Sequence, residues 1–272
     1  MTSSRPIALV RGGGDLASGA VARLHRAGFR VVVLELARPL AVRRLVSFAE
    51  AVYAGKIRVE EIRALRVDEV SEVEHAFSDE TVPVLVDPQA SCLGQLRPRV
   101  LVDGRMRKSA PEIGRGAAAL FIGLGPGFKA GEDCDAVVET KRGPHLGRVI
   151  WQGTAAADTR VPEPMAGFAE ERVLRAPTAG EVRGLVSLGS TVRDGESVAE
   201  VDGVAVRAQF DGILRGLLHD GLRVEAGVKI GDIDPRGDPS LCTLISDKAL
   251  AVGGGVVEAA LSHSEIRRGL GR

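Results

Sequence analysis

The chain has 272 residues, enough for two modest domains, and its 44% hydrophobic content predicts a packed core. Lysine and arginine together number 36 and balance 36 aspartate and glutamate residues, which argues against a broad face that binds a polyphosphate such as nucleic acid. Aromatic residues make up only 3%, so stacking platforms for single-stranded nucleic acid are not expected either.

Cysteine usage and the N-terminal sequence indicate where such a chain works. Cys92, Cys134 and Cys242 are widely spaced and form no C-x-x-C or His/Cys cluster, so no metal site is expected. The sequence reaches its first predicted strand too soon for a signal peptide, and no continuous apolar run reaches the ~18 residues of a membrane span. These features predict a soluble, cytoplasmic protein with no membrane partner.

The first predicted unit consists of a strand, a glycine turn, a helix and a second strand that ends in an acid. Gly12, Gly13 and Gly14 supply the first glycines of a G-x-G-x-x-G/A pattern, and Glu35 follows about 20 residues later, where an acid binds a ribose. A phosphate at this turn would meet the unpaired N–H groups at the helix start, beside Asp15. The alternative is that the glycines only turn the chain out of a buried strand.

Charged residues follow the next predicted strands. Arg43 and Arg44 lie near the start of a predicted second helix, on the ligand side of a doubly wound sheet, where arginines grip phosphate or carboxylate. A solvated helix start is the alternative for this pair. Asp103 ends another predicted strand, and Lys108 follows within five residues, so both are expected at the same edge.

A second glycine-rich turn follows the most apolar strand of the chain, residues 117–124. It contains Gly123, Gly125 and Gly127. Two glycine loops that follow buried strands are expected to flank one phosphate-bearing ligand from two sides. Two independent tight turns are the alternative.

A shift toward Ala, Pro and Thr predicts a linker before the last third of the chain. It separates an α/β domain, residues 1–165, from a β module, residues 170–236. A C-terminal segment, residues 237–272, ends in a helix whose apolar side is expected to pack back on the α/β domain.

The β module contains an internal repeat with an offset of 32 residues, in which Gly180 matches Gly212 and Val201 matches Ile233. Two interlocked copies of short strands would form a small sandwich or flattened barrel. The pattern resembles the barrel-sandwich hybrid of biotinyl and lipoyl domains. The hairpin Asp202-Gly203 between the copies has no carrier lysine, so a structural or docking module is expected. The predicted fold class is therefore α/β: a Rossmann-like doubly wound sheet plus a small all-β barrel-sandwich module.

Longer motifs along the chain resemble one family, the YqeB-type accessory proteins of selenium-dependent molybdenum hydroxylase systems. The motifs are VRGGGDLASG from Val10, ELARPLAVRRLVSFAEAV from Glu35, IGLGPGFKAGED from Ile122, VETKRGPHLGRV from Val138, RVLRAP from Arg172, KIGDIDPR from Lys229 and CTLISDKA from Cys242. The resemblance implies an accessory factor in the maturation of a molybdenum hydroxylase client, with selenium or the pterin cofactor as its concern. Cys242 fits the family pattern, although a buried structural cysteine is the simpler interpretation.

Three hypotheses remain open on the sequence alone. The first is a maturation factor that binds a nucleotide or pterin-nucleotide between the two glycine loops. The second is an NAD(P)-binding oxidoreductase, and the third is a non-enzymatic chaperone that docks its client through the β module. The sequence identifies no catalytic nucleophile, so whether the chain is an enzyme stays open, as do its cofactor and a homo-oligomeric state.

Overall fold

A computed structural model describes residues 5–106, 111–157 and 167–271. The chain divides into two compact units. The first unit comprises Met1–Pro39, Phe48–Asp158 and Ile245–Arg272, and the second comprises Leu40–Ser47 and Thr159–Leu244. The second unit thus contains residues 40–47, which the sequence analysis assigned to the α/β domain, and residues 237–244, which it assigned to the C-terminal segment.

The first unit contains eleven strands and six helices among its described residues. The strands are β1 (Ile7–Arg11), β2 (Arg30–Glu35), β3 (Lys56–Val59), β4 (Ile62–Val67), β5 (Val82–Val86), β6 (Val100–Asp103), β7 (Leu120–Leu124), β8 (Lys129–Ala130), β9 (Ala136–Val138), β10 (Val149–Ile150) and β11 (Gly153–Thr154). The helices are α1 (Asp15–Arg26), α2 (Ala51–Ala54), α3 (Val73–Ser78), α4 (Leu93–Leu96), α5 (Asp247–Ser262) and α6 (Ser264–Leu270). Short 3-10 turns lie at Phe48–Glu50 and Val70–Glu72.

Nine of these strands form one mixed sheet in the order β10-β9-β7-β6-β1-β2-β5-β4-β3. The two outer strands, β10 and β3, run antiparallel to their neighbours, and the seven between them are parallel. The inner strands are apolar along their whole length because both faces of the sheet are covered. Strands β8 and β11 form a separate antiparallel pair.

The predicted fold class is wrong. A doubly wound sheet carries a crossover helix between most of its parallel strands, whereas here only the β1–β2 connection has a long one, α1. The β2–β5 connection contains the β3–β4 hairpin, and the described residues between β6 and β7, and between β7 and β9, contain no helix. The chain therefore forms a mixed sheet and several smaller sheets instead of a Rossmann-like sheet with one barrel-sandwich module.

The predicted second helix is also mostly absent from the described residues. Two 3-10 turns, Arg44–Val46 and Phe48–Glu50, precede the four-residue α2. The chain passes between the two compact units within this stretch, at residues 39–40 and 47–48. A continuous helix cannot form across such changes of direction.

Helices α1 and α5 pack closely through small residues. A Cβ on Gly19 would meet the backbone of Ala249, and a Cβ on Gly253 would meet the backbone of Gly19. One stretch, Pro239–Ser262, is long and apolar enough by length and composition to cross a membrane, which the sequence analysis did not anticipate. A core helix passes the same test, and α5 buries seven of its residues.

The second unit contains eight strands in its described part. They are β12 (Val173–Arg175), β13 (Gly180–Gly184), β14 (Thr191–Val192), β15 (Ser197–Val201), β16 (Val204–Arg207), β17 (Gly212–Leu217), β18 (Arg223–Val224) and β19 (Lys229–Asp234), with a 3-10 turn at Pro239–Cys242. They form two four-stranded antiparallel sheets, β12-β19-β17-β14 and β16-β15-β13-β18.

The internal repeat corresponds to this pairing. An offset of 32 residues carries β12, β13, β14 and β15 onto β16, β17, β18 and β19, so it carries each sheet onto the other. Each sheet takes two strands from each copy, and neither copy can complete a sheet alone. The predicted hairpin turn is confirmed, because Asp202 and Gly203 both have positive φ, as a two-residue type I′ turn requires.

Candidate functional site

The strand order places a change of winding direction at the middle of the large sheet. β1 lies between β2 and β6, so the chain first builds the sheet outward from β1 on one side and then returns to build it on the other. At such a point the loops that follow the two strands diverge and leave a crevice at their carboxyl ends. Arg11 is the last residue of β1, and Asp103, the last of β6, is its neighbour across the two strands.

Four charged side chains meet at this edge: Arg11, Asp103, Arg105 and Glu112, which we call the arginine cluster. Asp103 is fully buried, and its Oδ2 accepts hydrogen bonds from Arg11 Nη1 at 3.4 Å and from Arg105 Nη2 at 2.6 Å. Glu112 Oε2 accepts from the same two nitrogens at 3.4 and 2.8 Å. Arg11 Nη2 also donates to the Pro88 carbonyl at 2.8 Å. The two guanidinium groups therefore face the same pair of carboxylates.

The first glycine turn lies beside this cluster. Gly12 has φ +87°, and a Cβ there would lie 3.1 Å from Arg105 Cγ. A Cβ on Gly13 would lie 2.7 Å from the backbone nitrogen of Ala49, so this position also requires glycine for close packing. Gly14 differs, because a Cβ there would meet no described atom within 4 Å. The turn is thus tightly packed at its first two glycines and open at the third.

Helix α1 starts at this open position. Gly14 is its N-cap, and no side chain in the described part of the chain caps the helix there. Asp15, in the first turn, places a carboxylate near the positive end of the helix dipole. The first N–H groups of a helix have no partner within the helix, so this start is able to accept an anionic oxygen.

Glu35 lies at the end of β2, where the sequence predicts a ribose-binding acid. Its Oε2 accepts the Gly13 N–H at 2.7 Å and its Oε1 accepts the Leu36 N–H at 2.8 Å. Burial raises the pKa of the Glu35 carboxyl above its ordinary value, while these two N–H bonds and the charge of Arg105 act in the opposite direction. In this geometry Glu35 fixes the glycine turn itself.

The second glycine turn lies at the same edge, after β7. A Cβ on Gly125 would meet Thr140 Oγ1 at 2.6 Å and the methyl carbon of Met106 at 3.0 Å. Because Arg105 packs on the first turn and Met106 on the second, the segment after β6 lies between the two glycine turns. A Cβ on Gly123 would overlap the ring of Phe128, so this glycine serves packing; Gly127 has φ +106°.

The remaining predicted residues lie elsewhere. Arg43 and Arg44 belong to the second unit, where Arg43 Nη2 donates to the carbonyls of Leu241 and Leu244, and Arg44 Nε to that of Leu217. These contacts fix residues 40–47 to their own unit. Lys108 lies outside the described residues.

Sequence reasoning missed three members of the arginine cluster, namely Arg11, Arg105 and Glu112. The signal for Arg11 was present, because an arginine directly after four apolar strand residues is buried only at a cost that a partner must offset. Arg105 and Glu112 lie in the connection between β6 and β7, which has no periodic pattern. Only the folded chain brings them to Arg11.

Metal and thiol chemistry find little support in the described residues. They contain no group of three or more His, Cys, Asp or Glu side chains that could hold a metal ion. All three cysteines are reduced and buried. Burial raises the pKa of the Cys92 thiol to about 12 and that of Cys134 to about 11, so neither is a ready nucleophile.

Comparison with known proteins bears on the family of the chain. No family model matches the sequence. Over 259 residues, 95% of this chain, it is 44% identical to the uncharacterized protein YqeB of Escherichia coli K12. This similarity supports the YqeB family. The matched part is 48% of the Escherichia coli protein, so the chain spans about half the length of that curated relative. The resemblance expected from the motifs is confirmed at this level.

Solved structures similar to the chain include an aspartoacylase family protein from Mesorhizobium loti, with 10% identity, a TM-score of 0.25 and 85% of each chain covered. The apo structure of the ectoine utilization protein EutE (DoeB) from Ruegeria pomeroyi has 13% identity and a TM-score of 0.25, with 84% of this chain and 86% of that chain covered. A succinylglutamate desuccinylase/aspartoacylase from Rhodobacter sphaeroides has 15% identity, a TM-score of 0.21, and 85% and 53% coverage. Similarities at this level carry no argument about the chemistry of the chain.

Proposed function

We propose that the first unit binds a phosphate-bearing ligand of the nucleotide or pterin-nucleotide class, and that the chain is a cytoplasmic accessory factor in the maturation of a molybdenum hydroxylase. The observation that carries the ligand proposal is the arginine cluster beside the open start of α1. Two guanidinium groups and the unpaired N–H groups of a helix start then bind the same anionic group.

Position and burial support this assignment. The cluster lies at the carboxyl ends of β1 and β6, where ligands bind to open α/β sheets. Arg11 is 1% exposed, and a buried arginine at a sheet edge is costly unless its charge is used. Gly14 leaves room for a ligand at the helix start.

The role in maturation rests on the motifs that run the length of the chain and on the similarity to YqeB. The partner would be the molybdenum hydroxylase client, and the second unit, with its two sheets and no carrier lysine on the Asp202-Gly203 hairpin, is the surface that we assign to it. Co-expression of a client with and without this chain, followed by measurement of molybdenum content, tests the role. An equal metal content in both preparations contradicts it.

The geometry favours this function over that of an NAD(P)-dependent oxidoreductase. In that alternative Glu35 binds the ribose hydroxyls through its carboxylate. Here each oxygen of Glu35 already accepts a backbone N–H, and the carboxylate is 9% exposed. A ribose would therefore meet a buried acid whose oxygens are engaged within the turn.

The ligand proposal is tested by thermal unfolding in the presence of NADH, NADPH, ATP, CTP and a molybdopterin nucleotide, each at a fixed salt concentration. A ligand at a hundredfold excess over its Kd stabilises the protein by about 2.7 kcal/mol. Gly14→Leu should remove the shift without unfolding the chain, because the space beside Gly14 is open. Gly94→Leu is the matched control, since Gly94 in α4 also has no described atom near its Cβ position.

Two results would count against the ligand proposal. The first is the absence of a shift with every nucleotide. The second is a shift that survives unchanged in Gly14→Leu, which would move the site away from the start of α1.

A further inference from the structure

We propose that Glu112 occupies the position of one ligand oxyanion on Arg11 and Arg105, and that a diphosphate diester displaces it. This inference rests on the proposed function of the same site. It assigns the atoms that receive the anionic group and narrows the ligand to the linkage that joins two nucleoside-like halves.

The first step is the equivalence of the two carboxylates. Asp103 Oδ2 and Glu112 Oε2 each accept from Arg11 Nη1 and Arg105 Nη2. Two guanidinium groups thus hold an inner and an outer oxyanion through the same pair of nitrogens. An oxyanion from a ligand could satisfy the same donors as the outer carboxylate.

The second step is the difference in burial. Asp103 is 0% exposed and belongs to β6, so it cannot leave without opening the sheet. The Glu112 side chain is 45% exposed and lies in the connection between β6 and β7. An ion pair at such exposure contributes about 0.2–1 kcal/mol, so its carboxylate exchanges easily with water or with another anion.

The third step is charge. With Glu112 in place, two arginines face two carboxylates. Exchange of the Glu112 carboxylate for one phosphate of a diphosphate diester, which carries a single negative charge, leaves this balance unchanged. A phosphate monoester carries about −1.5 to −2 near neutral pH and would add negative charge beside the buried Asp103. The exchange therefore favours the diester.

Isothermal titration of ADP-ribose, a diphosphate diester, and of AMP, a monoester, into the full chain tests the proposal. Glu112→Gln keeps the shape of the side chain and removes its charge, so the Kd for ADP-ribose should fall by about threefold to fivefold. Arg105→Gln should weaken binding in the wild-type background. Glu265→Gln is the matched control: Glu265 pairs with Arg99 at 2.6 Å, is similarly exposed, and should leave the Kd unchanged.

Each outcome decides one of the two proposals or both. If ADP-ribose binds, Arg105→Gln weakens it and Glu112→Gln leaves the Kd unchanged, then displacement of Glu112 is wrong and the phosphate site stands. Tighter binding of AMP than of ADP-ribose contradicts the diester. The absence of binding by both the wild type and Glu112→Gln overturns this inference together with the proposed function.

Discussion

The side chains of Arg11 and Asp103 lie next to each other at the ends of two neighbouring parallel strands, and both are almost completely buried, at 1% and 0% exposure. Removal of both charges from water is costly, and hydrophobic residues of similar volume often pack such a site at least as well. This pair lies at the centre of the carboxyl edge of the sheet. Its position explains how Arg105 and Glu112, in an irregular connection, acquire defined partners.

We expect Asp103→Asn to lower the free energy of unfolding by about 3 kcal/mol, because it leaves the buried Arg11 without its fully buried carboxylate. Urea unfolding of the wild type and the variant measures the change. Glu74→Gln provides a control, since Glu74 pairs with Arg30 on the surface and should cost less than about 1 kcal/mol. Equal losses in the two variants would show that the Arg11–Asp103 pair has no special role.

The three consecutive glycines of α5 should respond to alanine in opposite ways. A Cβ on Gly253 would overlap the backbone of Gly19 in α1, and a Cβ on Gly255 would overlap the backbone of Gly147. Gly254 has no described atom within 4 Å of its Cβ position. Gly254→Ala should therefore stabilise the protein by about 0.5–1 kcal/mol through helix propensity, whereas Gly253→Ala and Gly255→Ala should destabilise it.

Thermal unfolding of the three alanine variants measures these effects side by side. The prediction concerns the sign at each position, because the three changes are chemically identical and differ only in their neighbours. A stabilising effect of Gly253→Ala would mean that α1 and α5 do not approach as closely as the structure indicates.

Local patterns predicted the parts of the fold that depend on neighbours in sequence. The strand, turn and helix around Gly12, the hairpin at Asp202-Gly203 and the 32-residue repeat all follow from turn chemistry, periodicity or internal matching. The missing crossover helices did not follow, because an apolar spacing such as that of residues 45–54 suits a helix and also suits buried turns. In that segment tertiary packing overrides helix propensity.

The candidate site divides along the same line. Gly12, Gly13, Gly14 and Asp103 lie at the carboxyl edge of the sheet, as strand and turn patterns predict. Arg43 and Arg44 instead bond to carbonyls of the second unit, because the chain enters that unit for residues 40–47 only, a detour that leaves no periodic signal. The ion pairs of Arg11 depend on residues about 90 to 100 positions away in sequence, and no local pattern records them.

The three cysteines should be unreactive in the folded protein. Burial raises the pKa of Cys92 and Cys134 to about 12 and 11, and it also raises that of Cys242. At ~pH 8 the thiolate fraction is then small, and the thiols are shielded from reagent. Mass spectrometry after iodoacetamide treatment should show no label on the native chain and three labels in concentrated guanidinium. Rapid native labelling of Cys242 alone would instead indicate a functional thiol.

The stability of the second unit should depend on pH through Asp234. This carboxylate in β19 is 1% exposed. Burial by itself would raise its pKa, but the side-chain and backbone hydrogen bonds from Arg236 and the charge of Arg215 outweigh burial and hold the pKa at about 2. The ordinary value is 3.8, so the unfolded chain takes up the proton more readily than the folded one.

The contribution of Asp234 is therefore complete above about pH 4 and is lost as the pH falls toward 2, and it amounts to roughly 2 kcal/mol. Amide hydrogen exchange in β17 and β19 measures the opening free energy of this sheet. Asp234→Asn should lower it near neutral pH, and the difference from the wild type should shrink as the pH falls through that window. Glu200→Gln is the control, since Glu200 pairs with the exposed Arg183 on the repeat-related sheet and should change little at any pH. A difference between wild type and Asp234→Asn that stays constant down to about pH 2 would exclude the ionised carboxylate as its source.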